Sequence, residues 1–88
     1  MSYHVEVRVV PREGILDPQG KAVHGALSNL GFAGVAEVHV GRLIRLELDA
    51  DSSEDAQRSA IAMCRQLLAN PVTEDFEVQI LQGVGGPV

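Results

Sequence analysis

The residues that most often carry enzyme chemistry are few and scattered along this chain. Cys64 is the single cysteine, and the three histidines, His4, His24 and His39, are too far apart to have the spacing of a metal site. Cys64 lies in the apolar arc of a predicted helix, where burial raises the pKa of a thiol and makes it unreactive. No serine lies in a Gly-x-Ser-x-Gly nucleophile turn. These residues predict neither a nucleophile nor a metal centre.

Two carboxylate pairs and one glycine-bearing segment remain as candidates for chemistry. Glu54–Asp55 lies where a helix is expected to begin, and negative charge there complements the helix dipole. Glu74–Asp75 lies where the last predicted strand begins and is expected in a solvated turn. The segment 14–20, GILDPQG, lacks the Lys-Ser/Thr of a phosphate loop, and Asp17 within it would repel a phosphate. We therefore expect no catalytic residue in this chain and no cofactor bound by it.

The composition excludes several classes of protein. A net charge of −5 and only three aromatic residues argue against nucleic-acid binding, which needs clustered positive charge and stacking surfaces. No apolar run approaches the ~18 residues of a membrane span, and the first residues lack the pattern of a signal peptide, so we expect a cytoplasmic protein. A domain of 88 residues without disulfides has a small core, which favours oligomerisation.

Alternation of apolar and polar residues with period 2 predicts four strands. They cover Tyr3–Val10, Val35–Val40, Leu43–Asp49 and Glu74–Leu81. Gly41 and Arg42 separate the second strand from the third, and a two-residue link that begins with glycine is typical of a type II′ hairpin turn. We therefore expect Arg42 at the exposed tip of a hairpin, where its charge has little structural role.

The first helix is predicted at Pro18–Leu30. Asp17 is a favoured N-cap, proline is favoured at the first helical position, and Gly31 is a typical C-terminal stop. Gly20 and Gly25 lie inside the helix, where each costs about 1 kcal/mol relative to alanine. Such glycines indicate the close approach of another backbone, which the sequence does not identify.

The second helix is predicted at about Ser53–Ala69 and ends at Asn70–Pro71, because the residue before a proline avoids the helical conformation. The element order is then β-α-β-β-α-β, for which a ferredoxin-like α+β fold is the usual arrangement. That fold has a four-stranded antiparallel sheet with both helices on one face. We expect one domain over residues 1–82 and a flexible tail over residues 83–88.

Several motifs together resemble the PurS family, the small subunit of bacterial and archaeal phosphoribosylformylglycinamidine (FGAM) synthase. Segment 14–20, GILDPQG, resembles the start of that family's first helix, and segment 38–42, VHVGR, resembles its hairpin. Segment 67–72, LLANPV, followed by EDF at 74–76, resembles the end of its second helix. The resemblance spans roughly residues 3–81, with the motifs in the family's order.

The resemblance implies a non-catalytic subunit of the FGAM synthase complex of purine biosynthesis. In that family a glutaminase subunit releases ammonia, and a large synthetase subunit uses ATP and magnesium to add it to the substrate. The small subunit dimerises, bridges the other two and is thought to assist ammonia transfer. We therefore expect three partners for this chain: itself, as a dimer or a dimer of dimers, the glutaminase subunit and the synthetase subunit.

Two readings from other classes remain open at the level of sequence. A ligand-sensing ACT-like module has the same element order, and Gly14 and Gly20 weakly permit its ligand loop, but that reading leaves the LLANPV motif unexplained. A small acyl- or phosphate-hydrolysing enzyme needs an arginine in a phosphate loop and a nearby asparagine. Arg12 with Asn29 or Asn70 supports it poorly.

The predicted partner contacts lie at a turn and at two helix ends. The candidates are Arg42, Gly41, Asp17, Gln19, Asn70 and Pro71. Arg42 leads this set because a guanidinium offers five donors to a partner's carboxylates or carbonyl oxygens, and because the resembled family carries a basic residue after its hairpin glycine.

Overall fold

The computed structural model describes residues 1–83, which form three strands and two helices, the second of which ends in a π-helical turn. The elements are β1 (Ser2–Pro11), α1 (Pro18–Asn29), β2 (Arg42–Asp49), α2 (Ser53–Met63) with its π-helical turn (Cys64–Leu68), and β3 (Glu74–Gly83). The tail expected at residues 83–88 lies outside the described residues, except for Gly83, which ends β3. Within the described part of the chain, no helix is long and apolar enough to cross a membrane.

The sheet is antiparallel with strand order β2-β1-β3, so the N-terminal strand is central. Val7 illustrates the register, since it faces Ile44 on β2 and Val78 on β3. The period-2 pattern of β1 places Val5, Val7 and Val9 on one face, where they are at most 1% exposed. The sequence pattern therefore identified the strand that carries most of the core.

Small residues of the second helix cover this valine face. Ala56, Ala60 and Cys64 recur every fourth residue, which places them on one side of the helix, and all three are fully buried. Their short side chains allow the helix backbone to lie close to the sheet. Cys64 is buried, which confirms the prediction of a core cysteine, and burial raises the pKa of its thiol.

The structure does not contain the second predicted strand. Residues 35–40 pair with no strand among residues 1–83, and no hairpin forms at Gly41–Arg42. The chain runs from residue 35 into β2 without a turn, so this segment cannot fold back beside β2 as a hairpin requires. The four-stranded ferredoxin-like sheet is therefore corrected to a three-stranded antiparallel sheet for the described residues.

The first helix does not pack on the sheet, in contrast to the prediction of both helices on one face. Gly20 is its single buried residue, whereas Val23 is 42% and Leu30 is 73% exposed. The molecule extends over 50 × 30 × 15 Å, with a radius of gyration of 16.4 Å. A compact chain of this length has a radius of about 12 Å. Residues 18–41, that is α1 and the segment after it, therefore form a projection, here called the arm.

The end of the first helix has the geometry that Gly31 predicts. Leu30 is the C-cap, and Gly31 follows it with a φ of 98°, a left-handed conformation that favours glycine. The amide of Gly31 donates to the Ser28 carbonyl at 3.1 Å, and that of Phe32 donates to the Leu27 carbonyl at 3.0 Å. This pair of bonds is a Schellman motif, which ends the helix sharply and directs the chain into residues 35–41.

We predict that Val7→Ala lowers the free energy of unfolding by about 2 kcal/mol or more, because it removes two buried methyl groups and leaves a cavity against α2. Val10→Ala is the matched control on the same strand, since the Val10 side chain is 49% exposed. Its cost should stay below about 1 kcal/mol. Urea denaturation of both variants measures the difference. Equal losses would contradict the position of the core on the Val7 face.

Candidate interaction site

A cleft of about 630 Å³ lies where the arm joins the sheet. Five segments line it: the end of β1, the loop before α1, the first residues of α1, the junction between arm and β2, and the residues that precede and begin β3. The lining residues are Pro11, Ile15, Leu16, Asp17, Pro18, Gln19, Val40, Gly41, Arg42, Thr73 and Glu74. The cleft therefore brings together four of the six predicted contact residues. They form two pairs, Asp17 with Gln19 and Gly41 with Arg42, that lie more than 20 positions apart in the sequence.

Asp17 connects the start of α1 to the far end of the arm. Its carboxylate accepts a hydrogen bond from the Gly20 amide at 3.0 Å, as the predicted N-cap does, and a second one from the Val40 amide at 3.0 Å. The Gly20 bond, followed by the Val40 bond, lowers the pKa of Asp17 below its ordinary value. Only 10% of this side chain is exposed. Asp17 is thus a structural carboxylate held ionised, not a general base.

Two glycines permit the close approach of backbones at the cleft. A methyl group on Gly20 would overlap the carbonyl oxygen of Val38, and one on Gly41 would overlap the carbonyl oxygen of Val9. Gly20 lowers the helix propensity of α1, but only a glycine leaves room for the segment that follows α1 and passes against it. That segment is the nearby backbone that the sequence did not identify. Gly25 has open space around it, and the structure gives no reason for a glycine there.

Arg42 is the first residue of β2 and forms a clamp on the sheet side of the cleft, here called its floor. Its side chain is exposed, as predicted, at 47%. Its guanidinium donates two hydrogen bonds to the Glu74 carboxylate, at 2.7 and 2.9 Å, and a third to the Leu68 carbonyl at 2.6 Å. The amide of Asn70 donates to Glu74 at 2.8 Å. The expectation that Arg42 has little structural role at a hairpin tip is therefore wrong, because its three donors join β2, the end of the second helix and β3.

The charges of the clamp are mutually stabilised. Bonding to Arg42, and then to the Asn70 amide, lowers the pKa of Glu74, and the bonds to Glu74 raise the pKa of Arg42. Arg42 also satisfies a carbonyl at a helix C-terminus, where a cation is favoured. A carboxylate fixed in this way does not exchange protons near neutral pH. The floor of the cleft is therefore suited to holding segments together and not to acid–base catalysis.

The rim of the cleft is free to contact another molecule. Leu16 is 69% and Ile15 is 38% exposed, and the exposed Gln19 side chain makes no hydrogen bond within residues 1–83. Asn70 lies behind the floor through its bond to Glu74. Pro71 is exposed and does not line the cleft. The exposed apolar side chains can pack against a partner, and the Gln19 amide beside them can form hydrogen bonds with it.

The histidines of the arm contribute to its internal packing. His24 is half-buried and its Nε2 lies 2.9 Å from the Val35 carbonyl oxygen. The Nδ1 atom of His39 lies 3.7 Å from the Asp17 carboxylate. Within residues 1–83, no group of three or more His, Cys, Asp or Glu side chains has the arrangement of a metal site.

The family model and the relatives that match this chain belong to the same family. Residues 4–82 match the model of the PurS family, described as phosphoribosylformylglycinamidine (FGAM) synthase. The PurS subunit of that synthase from Synechocystis is 42% identical, with 98% of this chain and 88% of the relative covered. The Mycobacterium leprae PurS subunit is 44% identical, with 82% and 87% covered.

Solved structures give the same result. A chain of the Thermotoga maritima PurLQS structure superposes with a TM-score of 0.83 at 30% identity. The superposition covers 92% of this chain and 99% of the Thermotoga chain. The arrangement of sheet, α2 and arm is therefore shared with a solved relative over nearly its full length.

We predict that Glu74→Gln makes stability less dependent on acid pH. The folded-state pKa of Glu74 is lowered, so its contribution is complete above the unfolded value of about 4.3 and is lost as pH falls through the folded value. The melting temperature of the variant should lie below that of wild type at pH 7, and the gap should narrow below about pH 4.3.

The exposed Glu77 on the same strand provides the control, and Glu77→Gln should lower the melting temperature less. Melting curves recorded between neutral and acid pH measure both effects. A gap between wild type and Glu74→Gln that stays constant over this range would show that the clamp does not depend on the ionised carboxylate.

Proposed function

Because this chain belongs to the PurS family, we propose that it is the small, non-catalytic subunit of phosphoribosylformylglycinamidine synthase, a ligase of purine biosynthesis. The observation that carries this proposal is the family match over residues 4–82, together with relatives named as the PurS subunit of that enzyme. The same match favours a synthase subunit over a ligand-sensing module or a small hydrolase.

A binding role agrees with how the charged residues are used. The carboxylates of Asp17 and Glu74 are occupied by hydrogen bonds that hold backbone segments, and the Cys64 thiol is buried. These groups stabilise the fold, and in this proposal the substrate chemistry takes place in the other subunits. In this proposal the large synthetase subunit binds ATP and magnesium, and this chain binds no cofactor.

We assign the chain a bridging position between the glutaminase and synthetase subunits, where it assists ammonia transfer. The Thermotoga relative belongs to a structure named PurLQS, which supports a multisubunit assembly. The rim of the cleft is one surface for such contacts, and a dimer of this chain would present two copies of it. A subunit that bridges two others needs at least two such surfaces. A cytoplasmic location stays a prediction from the sequence.

Self-association is the second part of the proposal. The arm exposes Val23, Leu30 and Phe32, which are 42%, 73% and 57% exposed. Large apolar side chains grouped on one projection mark an interaction surface more often than a solvated one. The core is confined to one sheet face and one helix, so a second copy that covers the arm would add buried apolar area. We therefore propose a homodimer or a dimer of dimers.

We predict that the purified chain restores glutamine-dependent FGAM synthesis when it is mixed with the glutaminase and synthetase subunits. On its own it should hydrolyse neither glutamine nor ATP. The measurement is product formation with glutamine as nitrogen donor, with free ammonia as a second donor that tests the synthetase separately. Turnover by this chain alone, or full glutamine-dependent activity without it, would contradict the proposed role.

We predict that Gln19→Ala weakens assembly with the two larger subunits by roughly threefold to tenfold while the melting temperature stays unchanged, since Gln19 lies exposed at the cleft rim. Gln57→Ala, an equal truncation at an exposed position of α2, should leave assembly unchanged. Titration by light scattering or calorimetry measures both. Equal affinities for the two variants would remove Gln19 from the partner contacts.

Arg42, Gly41, Asp17, Asn70 and Pro71 stay proposed partner contacts, but most of them are poor positions for a first test. Arg42→Ala breaks the clamp, and Asp17→Ala removes two hydrogen bonds from backbone amides. A loss of assembly in either variant could therefore come from a lost partner contact or from a less stable fold. A side chain at Gly41 would overlap Val9. Gln19 carries none of these structural roles.

A further inference from the structure

The part of the arm that follows α1 has the sequence pattern of a strand but no strand partner. From residue 35 to residue 41 the chain has no helix, turn or bend, and it pairs with no strand of residues 1–83. Apolar Ala36, Val38 and Val40 alternate with Glu37 and His39, which is the pattern of a half-buried strand. Backbone groups of such a segment require hydrogen-bond partners from water or from another chain.

The contacts of the arm show which edge of this segment is open. The Val40 amide donates to Asp17, and the Val38 carbonyl lies against Gly20, so both residues direct backbone groups towards α1. Successive residues of an extended chain direct these groups to opposite edges. Glu37 and His39 therefore present theirs to the other edge, and within residues 1–83 neither residue makes a backbone hydrogen bond. The open edge begins after Val35, whose carbonyl oxygen contacts His24 of α1.

We propose that segment 36–40 pairs, antiparallel, with the same segment of a second copy of this chain, with the two-fold axis at Val38. This inference rests on the self-association in the proposed function and specifies its surface. In that register Val38 faces Val38 of the second copy as a non-hydrogen-bonded pair. Glu37 and His39 face each other across the axis and exchange backbone hydrogen bonds.

The side chains match in this register and in no neighbouring one. Each Glu37 lies opposite a His39, so a carboxylate meets an imidazole twice, and each Ala36 lies opposite a Val40. Within one copy the Glu37 carboxylate and the His39 ring already lie 4.0 Å apart, which places both on one face. A two-fold axis at Glu37 or at His39 would instead place like residues opposite each other and lose these pairs.

Cysteine cross-linking tests both the segment and its register. In the proposed pairing the Cα atoms of the two Val38 residues are about 4.5 Å apart, within the range for a disulfide. Val38→Cys should therefore form a covalent dimer on mild oxidation, seen on a non-reducing gel. Glu37→Cys is the matched control, because its two copies lie on a diagonal about 7–8 Å apart and should cross-link at least about fivefold less.

Two further samples complete the experiment. A mixture of Glu37→Cys and His39→Cys proteins should cross-link, since these positions face each other. Wild type should not, since Cys64 is buried. A second measurement does not depend on cysteine: Glu37→Lys should raise the dimer dissociation constant by roughly threefold to tenfold, whereas the same change at exposed Glu77 should not.

Sedimentation of wild type separates the possible failures. If wild type is a dimer but Val38→Cys cross-links no better than Glu37→Cys, the pairing is overturned and self-association stands. If wild type is dimeric, and Val38→Cys is protected from a thiol reagent only when the glutaminase and synthetase subunits are added, a partner subunit occupies the segment and the pairing is again overturned. If wild type is a monomer at micromolar concentration, this pairing and the proposed self-association both fail.

Discussion

The shape of this molecule depends on one carboxylate. Asp17 accepts hydrogen bonds from the amides of Gly20 and Val40, so it caps α1 and also holds the point at which the arm returns to the sheet. Because α1 has no extensive packing against the sheet, this tie fixes the arm more than hydrophobic burial does. Gly20 completes it by allowing the Val38 backbone to pass against the helix. An arm held at its base by polar bonds keeps its apolar side chains available for another molecule.

The Arg42 clamp fixes the sheet to the end of the second helix, as Asp17 fixes the end of the arm to the start of α1. It lies directly after the arm and joins the first residue of β2 to the Leu68 carbonyl and to the Glu74 carboxylate. An ion pair at a protein surface contributes little by itself, but this pair also satisfies a carbonyl at a helix end and an amide, that of Asn70. The cleft lies between these two polar ties. The residues of its floor are therefore held in place by bonds within the chain, and the exposed side chains of its rim are the ones that can contact other chains.

Local patterns predicted most of the elements, and contacts distant in sequence account for the errors. The valines of β1, the Asp17–Pro18 helix start and the Gly31 stop depend on neighbouring residues, so the sequence carries them directly. The role of Arg42 depends on Glu74, 32 positions further on, and no local signal links the two. Gly20 did give a signal, since a glycine inside a helix indicates a close backbone, but that backbone belongs to Val38. Resemblance to a family identified the function that the residue types alone left open.

The error at residues 35–40 is the most informative one. The period-2 pattern there is as regular as that of β2, yet the segment runs into β2 without a turn and so cannot fold back beside it in the same chain. Local preference and overall fold normally agree in natural sequences, and the places where they disagree tend to be functional. A segment that is patterned as a strand and tied to the start of α1 at Val40 lacks only a partner outside its own chain. The pattern is therefore better understood as a property of the assembly than as a failed hairpin.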